Sequence, residues 1–102
     1  MSLDVTKTVA SVTTEIIPVN WRQFADTKPD IKGLLTFAGT ATAKVEVTLD
    51  DPNGASPVWA EDAVFASGTT DVLGVIIGPV RGIRLNCTAW TSGDVVLHVL
   101  QG

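Results

Sequence analysis

The sequence predicts an all-β domain. The expected architecture is an antiparallel β-sandwich, jelly-roll-like, of seven or eight short strands, with a small β-barrel as the alternative. Three observations carry this. Short apolar runs with period-two alternation recur along the chain. Turn chemistry (Gly, Pro, Asn, Asp, Ser) separates them every several residues. No stretch holds the 3.6-residue period of an amphipathic helix long enough to be stable alone.

In chain order, residues 1–14 are polar and Val/Thr-rich, with Leu3, Val5, Val9 and Val12 as spaced apolar positions. An extended N-terminal arm, a first strand and a solvated tail all fit this pattern. Residues 15–102 then form a single sandwich domain. Glu15 to Val19 is a short strand stopped by Pro18 and Asn20. Trp21 to Asp26 fits one helical turn capped by Asn20, and Thr27-Lys28-Pro29-Asp30 fits a turn. Ile31 to Ala38 is the next strand. Ala43, Val45, Val47 and Leu49 alternate with Lys44, Glu46 and Thr48, the cleanest half-buried strand in the chain. Asp50 to Pro57 is a loop by every turn rule. Val58 to Ala66 is expected to be a strand with a bulge, and Val72 to Ile77 a strand weakened by Gly74.

The last quarter is predicted to be a β-hairpin. Ile83, Leu85, Cys87 and Ala89 alternate with Arg84, Asn86, Thr88 and Trp90. The first set is expected to enter the core and the second to face outward. Thr91-Ser92-Gly93-Asp94 supplies a tight connection, and the chain returns through Val95 to Leu100.

At 102 residues the chain is one domain, large enough for one core without disulfide or metal staples. The net charge is −4 and no Lys/Arg run occurs, so nucleic acid is not an expected partner. Only 18% of residues are charged, which leaves much uncharged surface for partners. A single cysteine excludes an internal disulfide and fits synthesis in a reducing cytoplasm. Met1-Ser2-Leu3-Asp4 has neither the basic nor the apolar region of a signal peptide, and no apolar run is long enough to span a bilayer.

No residue pattern spells out a reaction, so no catalytic, cofactor or metal residue is expected. Cys87 and His98 are the one cysteine–histidine pair, but Cys87 lies on the apolar register, where a thiol is inert packing. One His and one Cys do not make a zinc set. Asp50-Asp51-Pro52-Asn53-Gly54 fails the EF-hand spacing and fits a turn with local Asx bonds, an irregular calcium site on Asp50, Asp51 and Asn53 being the minor alternative. Glu61 and Asp62, adjacent on a strand, point to opposite faces and do not form an acid–base pair. Asn86-Cys87-Thr88 matches a glycosylation sequon but lies within a strand. Gly78 to Gly82 lacks the Lys-Ser/Thr and the helix of a phosphate loop. Of Trp21, Trp59 and Trp90, the last is expected on the outward face as a contact anchor.

The run Gly78-Pro79-Val80-Arg81-Gly82-Ile83-Arg84-Leu85-Asn86-Cys87-Thr88-Ala89, with its Thr-Ser-Gly turn and terminal Val/Leu strand, resembles small all-β virion structural proteins of tailed bacteriophages. So does Leu49-Asp50-Asp51-Pro52 followed by Pro57-Val58-Trp59. The resemblance covers the latter half of the chain. It implies a non-enzymatic capsid decoration (cement) protein, made in the host cytoplasm and carried on the virion surface. It also implies the major capsid protein as partner and a homo-oligomer, dimer or trimer. Leu3, Val5, Val9, Val12 and Trp90 are the expected partner-binding residues, the arm acting by strand addition to a neighbour. The alternative is a carbohydrate- or receptor-binding module of a phage tail, using Trp90 or Trp59 as a stacking platform. A cupin-type enzyme would need several histidines where this chain has one.

Overall fold

The computed structural model describes residues 3–19, 31–76 and 80–101. The proposed helical turn at Trp21, the turn at residues 27–30 and the Gly78-Pro79 break lie outside them. The described residues form eight strands: β1 (Leu3–Val9), β2 (Thr14–Pro18), β3 (Ile31–Phe37), β4 (Ala41–Thr48), β5 (Trp59–Glu61), β6 (Val72–Ile76), β7 (Gly82–Trp90) and β8 (Val95–Gln101). They pair antiparallel into two four-stranded sheets, sheet I in the order β1-β8-β3-β6 and sheet II in the order β2-β7-β4-β5. Strands β1 and β2, β3 and β4, β5 and β6, and β7 and β8 are each split between the sheets. Two interleaved four-stranded sheets of this order are an eight-stranded jelly roll.

The final segment is therefore not a β-hairpin. Strand β7 belongs to sheet II and β8 to sheet I, so residues 91–94 form an arch across the core. Both strands are apolar on one face, and the arch turns those faces toward each other. Ile83, Leu85 and Cys87 then pack opposite Val95, Leu97 and Val99, all essentially fully buried. Side-by-side pairing would have left both apolar faces on one surface.

The β7–β8 arch stacks on the β3–β4 arch. Thr91 N–H and Ser92 N–H donate to the Thr40 carbonyl, and Ala38 N–H donates to the Asp94 carbonyl. Gly93 has φ 79°, which favours glycine, and a Cβ there would lie 2.3 Å from Gly39 N.

Two local predictions change. Leu49 is 72% exposed, and the chain leaves the strand at Thr48 instead. The Thr48 hydroxyl donates to the Val58 carbonyl and accepts from Asp50 N–H, which closes the loop there. Only Trp59–Glu61 of the Val58–Ala66 stretch is a strand. The chain then loops out but keeps following β4: Asp62 N–H donates to the Val45 carbonyl, Val45 N–H to the Phe65 carbonyl, and Ala43 and Gly68 exchange both bonds. This excursion drives Phe65 into the core at zero exposure. Its ring sits over Gly33 and Gly74, which are register partners in sheet I; a Cβ at Gly33 would lie 2.9 Å from the ring. Gly33 thus makes room for the aromatic ring, and Gly74 for Val64, which a Cβ there would meet at 2.3 Å.

Candidate functional site

Residues 3–9 pair with β8 along their whole length, Leu3 opposite Gln101 and Val9 opposite Val95. Val9 is core and Val5 packs against it. Neither offers a free arm to a neighbour. Val12 is 63% exposed in the connection between β1 and β2.

The expected position of Trp90 is corrected by a β-bulge. Thr42 pairs with Ala89 and Ala43 with Cys87, so Thr88 has no partner. One extra residue reverses the alternation. Ala89 becomes exposed rather than core, and Trp90 falls opposite Ala41, which is buried. Trp90 therefore lies on the core-facing register at the rim, 38% exposed, with its indole N–H donating to the Gly93 carbonyl at 2.7 Å. Val12 and Trp90 come to the same end of the sandwich. The residue after Val12, Thr13, accepts at its carbonyl from Cys87 N–H on the strand that carries Trp90.

The outer face of sheet II carries a polar network that sequence reasoning missed. Register places Arg84 beside Glu46 and Glu46 beside Glu61. Glu46 Oε1 accepts from Arg84 Nε at 3.0 Å, Arg84 Nη2 at 2.7 Å and Asn86 Nδ2 at 2.9 Å. Lys44 Nζ lies 4.0 Å from Glu46 and 3.8 Å from Glu61. The Arg84 guanidinium also stacks 4.6 Å from the Trp59 ring centroid. Burial works to raise the Glu46 pKa. The bonds from Arg84 and Asn86 and the charges of Arg84 and Lys44 outweigh it and hold the carboxyl below its ordinary value. The signal was hidden because it required knowing which residues of β4 and β7 stand side by side.

The nucleophile–base pairing is not built. The Cys87 side chain is in the core, burial raises its thiol pKa, and its S–H donates to the Ala89 carbonyl. His98 is on the outer face of sheet I, held by Asp4 Oδ1 at 2.7 Å. Asp50 and Asp51 both accept local backbone bonds, from Val58 N–H and Asn53 N–H. Asp62 Oδ1 accepts from Val64 and Phe65 N–H, while Glu61 faces Lys44. Among the described residues no group of three or more His, Cys, Asp or Glu side chains is placed to hold a metal, and no helix is long and apolar enough to cross a membrane. An open hollow between Leu49, Val58 and Val80 has Val47 and Ala60 at its base.

The fold defines a small jelly-roll β-sandwich. No protein-family model matches the chain, and no curated protein and no solved structure matches it.

Proposed function

We propose that this chain is a non-enzymatic structural protein of a tailed-phage virion, a decoration protein that binds the capsid shell with its arch end. The observation that carries the reading is that exposed Val12 and Trp90 stand at the same end of a jelly roll whose arches are joined by hydrogen bonds. A low-charge end with an aromatic anchor suits contact with a repetitive protein surface. The fold itself is shared by viral capsid and lectin domains and supports the virion setting by analogy. The resemblance of residues 78–89 to phage virion proteins supports the same setting. The partner is the major capsid protein, and the site of action is the outside of the shell.

The carbohydrate-binding alternative has less support. One face of Trp59, the second candidate stacking platform, is covered by Arg84.

The test is cosedimentation of the purified protein with undecorated shells of the phage that encodes it. Binding that saturates at one copy per capsid subunit, or a simple fraction of it, is the expected result. Val12→Asp and Trp90→Ser each weaken it by roughly 10-fold or more. No binding to shells, or binding untouched by both substitutions, overturns the reading.

A further inference from the structure

The two sheets end in four edge strands, β1 and β6 in sheet I and β2 and β5 in sheet II. An edge strand carries a row of backbone N–H and C=O groups that point away from its ladder, a template for another extended chain. Three of these edges are blunted. Strand β1 places Lys7, and β2 places Glu15, on the inner-face register opposite buried Leu97 and Leu85. Strand β2 also ends in Pro18. Strand β5 is three residues long, and the excursion after it takes up the β4 groups beyond it through Asp62, Phe65 and Gly68.

Strand β6 has none of these devices. Val72–Ile76 is five residues without charge or proline, and it pairs one to one with β3 without a bulge. Among the described residues its backbone bonds go to β3 alone, because the Phe65 excursion takes its own backbone bonds from β4. Exposed apolar side chains flank this edge on both faces. Leu73, 64% exposed, and Val75, 38%, stand on the outer face. On the inner side Val64, 50% exposed, lies against Gly74.

We infer that the β6 edge is a strand-addition site, which takes an extended, uncharged, β-branched segment of a partner protein as the next strand of sheet I. Backbone chemistry names the occupant. A row of donors and acceptors at strand spacing is satisfied in full only by another extended backbone. The flanking side chains name its composition. Outward side chains of the added strand stand beside Leu73 and Val75 and inward ones near Val64, so both of its faces meet apolar surface. A second copy would bring its own Gly74 to the middle of the pairing, a residue poorly suited to a strand. The chain is therefore an acceptor of a strand and not a donor, since residues 3–9 are already paired with β8. The inference uses the sheet register and the strand edges and does not rest on capsid binding.

Amide hydrogen exchange of the full chain, followed by NMR, tests it. The probe is a capped peptide of alternating valine and threonine, as long as β6, with a lysine at each end for solubility. In the free protein the β6 amides that face away from β3 are expected to exchange fast. The peptide binds saturably below ~1 mM and slows them. The same peptide N-methylated throughout has no ladder donors and does not bind. Leu73→Lys, a charge at an exposed edge position, abolishes binding with the rest of the spectrum unchanged, and Leu73→Ile retains it. No binding at ~1 mM overturns the inference. So does binding that survives N-methylation or Leu73→Lys, or protection that maps to other strands. Outward β6 amides already protected in the free protein, by a second copy or by this chain, overturn it too. A chain that takes the peptide but fails to bind shells leaves it standing and counts against the capsid reading instead.

Discussion

Glu46 sits on the outer face of a sheet yet is only 8% exposed, because Arg84, Asn86 and Lys44 close over it. Its folded pKa is lowered, so its contribution to stability is fully present above its ordinary value of 4.5. That contribution declines below 4.5 and is lost as the pH falls through the lowered folded value. Urea titrations at descending pH are expected to show this loss, and Glu46→Gln to flatten it. The same substitution costs about 1–3 kcal/mol at neutral pH by removing the charge that satisfies Arg84. Phe65 is the other decisive side chain. Phe65→Ala leaves a cavity over the Gly33–Gly74 pair and is expected to cost about 3–5 kcal/mol. An unchanged denaturation midpoint would refute that packing.

The arches and the edges are where whole elements succeed or fail. Gly93 combines a left-handed φ with contact against Gly39. Gly93→Ala is expected to cost at least ~1–2 kcal/mol from conformation alone, and more from the clash. A thermal melt should show a fall of several degrees or more. The exposed strand edges are managed differently on the two sides of the sandwich. Phe65 and its loop close the gap between the sheets on the β5–β6 side. On the other side, edge strands β1 and β2 place Lys7 and Glu15 on the inner-face register, opposite buried Leu97 and Leu85. Inward charges on edge strands discourage pairing with another chain. The double variant Lys7→Val, Glu15→Val is expected to remain folded but aggregate, as read by light scattering over days at high concentration.

For the molecule as a whole, the consequential pairing is β1 with β8, which joins residue 3 to residue 101. Deleting residues 2–12 removes an edge strand and Val9 from the core and leaves the β8 edge bare. Circular dichroism and denaturant titration of that variant are expected to show loss of the cooperative transition. If it folded as well as the full chain, β1 would be an accessory arm after all. Pairings this distant in sequence also make folding slow. Refolding is expected on the millisecond-to-second scale of all-β domains when followed by stopped-flow tryptophan fluorescence.

Most of the strands were legible in the residues because alternation is a local property. Val45, Ile83, Leu85 and Cys87 announce their faces whatever they pack against. The buried thiol was legible for the same reason. Three features required the folded chain. A tight Thr-Ser-Gly-Asp connection looks the same whether it joins neighbours in one sheet or arches between two. Only the apolar faces meeting across the core separate the two outcomes. The bulge at Thr88, which re-aims Trp90, depends on the register with β4, and no local signal marks the extra residue. The Glu46–Arg84–Asn86 cluster likewise draws its members from strands far apart in the chain. Strand character is written in the period of a few successive side chains, whereas strand neighbours are chosen by burial of the whole apolar surface at once.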